Sequence, residues 1–205
     1  FGRLTPGERY KLLCAVVTPR PVAWITTIGT GGVVNAAPYS FFKVFGEDPP
    51  LVAIGLQRRA DGRLKDTAEN IRRSGEFVVN VATPDLAESM VATAAAYPAS
   101  RGEPEALGLE TAPSAAVAPP RRARAPAALE CRRLVSLAFG AEREVLIGEP
   151  LALQTRDGLV DPATLRVDWA DDYPVARLFG DRYGRVTEIA RRAIPDPPPE
   201  KETKP

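Results

Sequence analysis

The order of strand-like segments along the chain constrains its fold more than any other feature of the sequence. Six runs are rich in β-branched, aliphatic or aromatic residues, as strands are, and glycine or proline interrupts the chain near most of them. These runs are residues 22–28, 33–38, 51–57, 77–82, 128–138 and 143–155. Only short helical segments lie between them. The pattern predicts a mainly β fold with short helices, in which the strands form a closed or nearly closed barrel.

Two of the predicted helices have clear boundary signals. Residues 5–8, TPGE, match a capping box with proline at the first helical position, and they predict a helix that ends near Leu13. A second helix is predicted with Asp66 or Thr67 as its N-cap and Gly75 as its stop. Both helices are short enough to decorate a barrel.

Residues 1–195 are predicted to form a single domain, and two segments stand out by composition. Residues 97–127 are rich in Pro, Ala, Gly and Arg, which predicts an extended surface loop. Residues 196–205 are too proline-rich and charged to fold, which predicts a disordered tail. The chain begins at Phe1 rather than Met, so we also expect N-terminal residues that the numbering leaves out.

Low counts of two residue types exclude several kinds of catalytic site. The chain contains no histidine, which rules out Ser-His-Asp and Cys-His catalysis and zinc sites that use histidine. Cys14 and Cys131 are far apart in the sequence and fit free buried thiols better than a metal site or a structural disulfide. If the protein is an enzyme, we therefore expect a bound cofactor to carry its chemistry.

Charge and hydropathy argue against two classes of partner. Lys and Arg number 27 against 26 for Asp and Glu, so the chain lacks the basic excess of a nucleic-acid-binding protein. No apolar run approaches the ~18 residues that a membrane span needs. Residues 1–13 also lack the features of a signal peptide. We therefore expect a cytoplasmic protein with no nucleic-acid or membrane partner.

Residues 35–42, NAAPYSFF, follow a clear strand and turn but are poorly suited to continue as a strand. Small side chains pack little, and Pro38 cannot donate a hydrogen bond to a neighbouring strand. Such residues leave room for a flat ring against the backbone. Asn35 and Ser40 add short polar side chains, and Phe41 can cover an apolar face of the ring. The alternative for this segment is a bulged barrel strand that kinks at the proline.

A second segment, RRADGRLKDT at residues 58–67, has the features of an anion site. Its last residues open a helix, and a helix start offers free backbone N–H groups and the positive end of the helix dipole. Arg58, Arg59 and Lys65 add positive charge, and Thr67 adds a hydroxyl donor. Alone, such a loop is better explained as an ordinary cap with solvated basic residues. Together, the two segments predict a flat heterocycle on a strand with its phosphate at a helix start.

The first part of the chain closely resembles the flavin reductase-like family, whose members have an FMN-binding split barrel. The resemblance is strong over about residues 8–82 and looser over 146–150 and 177–186. The family motifs occur in order and at compatible spacing: a PRP-A-W strand, an N-A-P-S-F-F segment, DPP, and R-DG-KDT-N before EFVVN. Residues 97–127 and 168–174 depart from the family pattern.

This resemblance implies a homodimeric split β-barrel that binds one FMN, or alternatively FAD, in each subunit near the dimer interface. It implies an FMN-dependent oxidoreductase, most simply an NAD(P)H:flavin reductase that supplies electrons to a monooxygenase or another redox partner. Two alternatives stay open. One is a non-enzymatic FMN electron carrier, and the other is a flavin-dependent oxygenase acting on a small organic substrate.

The resemblance also implies a set of cofactor-binding residues, although it assigns no catalytic residue and no metal ligand. The residues implied beside the isoalloxazine and ribityl chain are Thr26 and Thr27. The residues implied to line the flavin are Asn35, Ala37, Pro38, Tyr39, Ser40 and Phe41. The residues implied around the phosphate are Arg58, Lys65 and Thr67, with Asp66 ordering the loop. Tyr183 is implied to reach the flavin or the partner subunit.

Overall fold

The computed structural model describes residues 1–195, so the predicted tail at 196–205 lies outside the described residues. The α-helices of the described part are α1 (Pro6–Val16), α2 (Asp66–Ser74), α3 (Ala87–Ala92) and α4 (Glu103–Ala106). Short 3-10 turns occupy Thr30–Gly32 and Pro84–Leu86. None of the helices within residues 1–195 has the length and apolar character needed to cross a membrane.

The strands account for most of the regular structure, which confirms the mainly β prediction. They are β1 (Arg20–Pro21), β2 (Ala23–Ile28), β3 (Val34–Tyr39), β4 (Phe42–Glu47), β5 (Pro50–Gln57), β6 (Glu76–Asn80), β7 (Thr111–Ala112), β8 (Arg121–Arg122), β9 (Ala127–Ala138), β10 (Arg143–Thr155), β11 (Ala176–Arg177) and β12 (Tyr183–Gly184). The principal sheet has seven antiparallel strands in the order β3-β2-β6-β9-β10-β5-β4. β1, β11 and β12 form a small separate sheet, and β7 pairs with β8.

The seven-stranded sheet curls around one hydrophobic core. Tyr39 on the terminal strand β3 packs in the same buried cluster as Ile54 of β5 and Phe77 of β6. Strands from opposite parts of the strand order therefore face each other across the core, and the sheet forms a nearly closed barrel. Helix α2 contributes Ile71 to this cluster and covers part of the barrel.

Strand β2 shows why the sheet has two buried faces. Successive side chains of a strand point to opposite sides, and Ile25 enters the barrel core while Trp24 packs outside it with Met90 of α3. Both side chains are almost fully buried, at 0% and 1% exposure. A continuous apolar run such as residues 22–25 is therefore required here, because no side of this strand faces water.

Two predictions of helix boundaries and one prediction of a loop need correction. Helix α1 extends to Val16 rather than ending near Leu13. Helix α2 begins at Asp66, and its N-cap position is held by Lys65, which provides no side-chain cap. The segment 97–127 is not an extended surface loop throughout, because it contains α4, β7 and β8 and buries several of its side chains against the barrel.

Gly148 on β10 allows the closest packing between the sheet and its core. The ladder between β9 and β10 shifts register between Ile147 and Gly148. A Cβ atom added at Gly148 would lie 2.5 Å from Cζ of Phe77, whose ring is fully buried. The ring cannot withdraw, because it is packed among the core residues of the barrel.

We expect Gly148→Ala to lower the free energy of unfolding by about 1–3 kcal/mol, the usual cost of overpacking a core. Chemical denaturation monitored by circular dichroism measures this change. The matched control is Gly7→Ala, because no atom lies within 4 Å of a Cβ added there, and its stability should stay the same or rise slightly. An unchanged stability of Gly148→Ala would show that β10 and the Phe77 ring adjust freely.

Candidate functional site

A cleft opens between β3, the start of α2 and the segment that follows α3. Its cavity volume is about 160 Å³, and the cleft is partly open to solvent. The residues from β3, from the loop before α2 and from α2 that line it are Asn35, Ala37, Pro38, Tyr39, Arg59, Lys65, Asp66 and Thr67. Residues 93–97 form another wall, and Glu103 lines the cleft beside Asn35.

Strand β3 ends the seven-stranded sheet, so one row of its backbone groups has no neighbouring strand. The N–H of Ala36 on this edge donates to Oε2 of Glu103 over 2.8 Å. Because hydrogen-bonding direction alternates along a strand, the amide position of Pro38 faces the same way, and proline has no N–H to leave unpaired. The proline that weakens this strand is therefore suited to its free edge.

Asn35 lies at the centre of a buried hydrogen-bond network. Its Nδ2 donates to Oε1 and Oε2 of Glu103, both over 3.0 Å. Its Oδ1 accepts from the hydroxyls of Thr67, over 2.7 Å, and Thr27, over 3.3 Å. The Thr27 hydroxyl in turn accepts from Nδ2 of Asn70 over 3.0 Å. The network joins β3, β2, α2 and α4.

The direction of each donor in this network follows from the chemistry of Glu103. Carboxylate oxygens accept hydrogen bonds, so the NH₂ of Asn35 faces Glu103 and its oxygen faces Thr67. The Thr67 hydroxyl must then use its single proton on Asn35. Thr67 is therefore not a free hydroxyl donor to an anion in the cleft, in contrast to the sequence prediction.

Burial shifts the pKa values of two groups that line the cleft. Burial raises the pKa of Tyr39 to about 12, so its hydroxyl is protonated at neutral pH. Burial also raises the pKa of Glu103, with a further increase from the negative charge of Asp66, while hydrogen bonds from Ala36 and Asn35 act in the opposite direction. The wall of the cleft near Glu103 is thus acidic and poorly hydrated.

The residues at the start of α2 bring positive charge to the cleft. Lys65 precedes α2, and Arg59 is held in place by an ion pair with Asp66 of 2.7 Å. The pKa of Lys65 is lowered because its ammonium is partly withdrawn from water and because Arg143 and Arg59 are nearby cations. A bound anion would offset this repulsion.

The start of α2 adds backbone donors to the same end. Lys65 in the N-cap position makes no capping hydrogen bond with its side chain, so the first N–H groups of the helix remain available to an anion. The small Ala37 and Pro38 side chains border the cleft on β3, beside this helix start. The residues present therefore fit a flat cofactor that carries a phosphate.

The cleft brings together a little over half of the residues that the sequence identified. The predicted residues that line it are Asn35, Ala37, Pro38, Tyr39, Lys65, Asp66 and Thr67. The predicted residues that lie elsewhere in this chain are Thr26, Thr27, Ser40, Phe41, Arg58 and Tyr183.

The two threonines of β2 and the residues after β3 are separated from the cleft by the geometry of their strands. Thr26 points to the outer face and donates to the carbonyl of Pro120, while Thr27 lies behind Asn35. The chain turns at the end of β3, so Ser40 and Phe41 line a different, apolar hollow beside α1.

The remaining two predicted residues are held by local contacts. The guanidinium of Arg58 donates to the carbonyl of Gly62 within its own loop. Tyr183 on β12 packs outside the barrel near Trp24, and its hydroxyl contacts Arg177. Neither side chain reaches the cleft of this chain.

The structure also adds residues to the set of cofactor-binding residues that the resemblance implied. Arg59 lines the cleft where Arg58 was expected, and it forms an ion pair with Asp66. Glu103 and residues 93–97 also line the cleft. The only sequence signal near Glu103 is Gly-Glu-Pro at residues 102–104. This signal indicates the start of a helix but does not indicate a ligand site.

Comparisons with known proteins agree with this fold. The flavin reductase like domain family matches residues 16–177. An uncharacterized protein of Deinococcus radiodurans is 43% identical over 182 residues, which cover 86% of this chain and 80% of that protein.

Two solved structures are similar over nearly the whole chain. The Pseudomonas fluorescens 2-nitrobenzoate 2-nitroreductase NbaA is 37% identical, with a TM-score of 0.86 and coverage of 95% of this chain and 94% of that chain. Nitrilotriacetate monooxygenase component B of Bacillus cereus is 30% identical, with a TM-score of 0.87 and coverage of 93% and 96%. The chain therefore belongs to the flavin reductase-like family, and its fold is the split β-barrel of that family.

Proposed function

We propose that this protein is an FMN-dependent NAD(P)H:flavin reductase. The observation that carries the proposal is the cleft itself, which combines a strand edge bordered by small side chains with a cationic helix start. FMN is the flavin that matches both features, because its flat ring and its single phosphate need a shelf and one anion site. Family membership supports an oxidoreductase that uses a flavin.

In this proposal each end of the cleft has a separate task. Lys65 and the first N–H groups of α2 hold the phosphate, and Arg59 adds charge while its pairing with Asp66 fixes the loop. Ala37 and Pro38 border the ring. Residues 93–97 form the opposite wall and limit access of water to the ring.

The reaction needs no titrating catalytic side chain. When bound, FMN supplies the redox chemistry, since the flavin ring accepts a hydride from a nicotinamide and passes electrons to an acceptor. Tyr39 remains protonated at neutral pH, and its buried hydroxyl forms part of a neutral wall. The contribution of the chain is binding, orientation and exclusion of water, which is consistent with its lack of histidine.

We propose that the protein is a homodimer and that its reduced flavin serves a redox partner. Val44 and Phe45 on β4 are 63% and 69% exposed, and Phe139 is 78% exposed, so apolar surface is available for association. The similarity to nitrilotriacetate monooxygenase component B supports a monooxygenase as the partner. The similarity to a 2-nitrobenzoate 2-nitroreductase favours a second candidate, direct reduction of a small nitroaromatic compound in the cleft.

Anaerobic mixing with nicotinamides tests the proposed reaction. We expect the FMN-loaded protein to lose its visible flavin absorbance when stopped-flow mixing supplies NADH or NADPH, because hydride transfer reduces the ring. If neither nucleotide bleaches the flavin, the reductase proposal is wrong and an electron carrier without nicotinamide chemistry fits better. Adding 2-nitrobenzoate to the reduced protein then separates direct nitro reduction from flavin supply.

Replacing Lys65 tests the position of the phosphate. A hydrogen bond to a charged group contributes roughly 1.5–3 kcal/mol, so Lys65→Ala should weaken FMN binding by about 10- to 150-fold. Riboflavin has no phosphate, and its affinity should hardly change. Fluorescence titration of both flavins measures the two constants, with Lys11→Ala on α1 as a control for loss of one exposed lysine. Equal weakening of FMN and riboflavin would contradict a phosphate beside Lys65.

A further inference from the structure

We propose that Glu103 is the positioning residue of this cleft and that it acts on the phosphate-binding helix start through Asn35 and Thr67. The predicted effect of Glu103 on FMN affinity rests on the proposed function. Its structural basis is independent of any cofactor, because it concerns contacts within the chain. Glu103 lies in residues 97–127, the segment that departs from the family pattern.

Glu103 is fixed on the free edge of β3 by the close approach of two backbones. A Cβ atom added at Gly102 would lie 2.0 Å from the carbonyl oxygen of Val34, so only glycine allows the chain to approach β3 here. The next residue then places its carboxylate on the N–H of Ala36 and the amide of Asn35. Glu103 is 6% exposed in this position.

The carboxylate determines which way the amide of Asn35 points. With its NH₂ turned to Glu103, Asn35 presents its oxygen to Thr67, and the Thr67 hydroxyl donates to it over 2.7 Å. Thr67 belongs to the first turn of α2, so this hydrogen bond ties the helix start to β3. We infer that Glu103 thereby keeps the free N–H groups at the start of α2 in a fixed position relative to Lys65.

Three possible roles of Glu103 give three different binding results. A positioning role requires that loss of the carboxylate weakens FMN and spares riboflavin, because the phosphate-binding turn is loosened. A purely electrostatic role requires tighter FMN binding, because a negative charge near a phosphate is removed. A purely structural role requires that FMN and riboflavin weaken together.

The test compares Glu103→Gln with Glu105→Gln. Both residues lie on α4 and both changes remove one negative charge, but Glu105 is exposed and does not line the cleft. We expect Glu103→Gln to weaken FMN by about 5- to 10-fold, less than the loss of a direct charged hydrogen bond because the contact is indirect. Riboflavin should change less than about 2-fold, and Glu105→Gln should match the wild type. Tighter FMN binding, or equal weakening of both flavins, would overturn the proposal.

A double-mutant cycle with Thr67→Val tests the connection itself. If Glu103 acts through Asn35 on Thr67, the double variant should bind FMN no more weakly than Glu103→Gln alone. The same cycle on the unfolding free energy of the flavin-free protein should also be non-additive, and additive losses would overturn the connection. A wild-type protein that bound no FMN would overturn the proposed function, while the flavin-free cycle would still decide whether Glu103 is coupled to Thr67.

Discussion

The unpaired edge of β3 is the constraint on which the cleft depends. A terminal strand leaves a row of backbone groups that must find partners or avoid needing them. In this chain the Ala36 N–H is satisfied by Glu103, and Pro38 removes the next donor on the same side. Within residues 1–195 no further strand covers this edge, so small side chains and backbone remain beside the helix start of α2. The barrel thus supplies a binding surface at the place where its sheet ends.

Charge is distributed along the cleft in a way that gives a ligand one orientation. Lys65 and Arg59 lie at the helix start, and Glu103 lies beside Asn35 on the edge of β3, where burial raises its pKa. Asp66 forms an ion pair with Arg59, and its negative charge also raises the pKa of Glu103. An anionic group is favoured beside Lys65 and the free N–H groups at the start of α2. The charge of Lys65 and the free N–H groups at the start of α2 explain why a phosphate, rather than the ring, would fix the position of a flavin.

The strands and the basic loop before α2 could be predicted from the sequence, because the signals for both are local. The cleft could be predicted only in part, because side chains alternate along a strand and Thr26 and Thr27 cannot both face it. Glu103 could not be found, since its partner Asn35 is 68 positions away and the intervening segment has no ligand motif. Its role follows from the approach of Gly102 to β3, which only the folded chain reveals.

A crystal structure of the protein with FMN tests the central claim most directly. The account predicts phosphate oxygens at hydrogen-bond distance, about 2.7–3.2 Å, from the backbone nitrogens at the start of α2 and from Nζ of Lys65. It also predicts that the Thr67 hydroxyl still donates to Asn35 and that Glu103 keeps its place on β3. A phosphate bound away from both Lys65 and the start of α2 would contradict this account of the site.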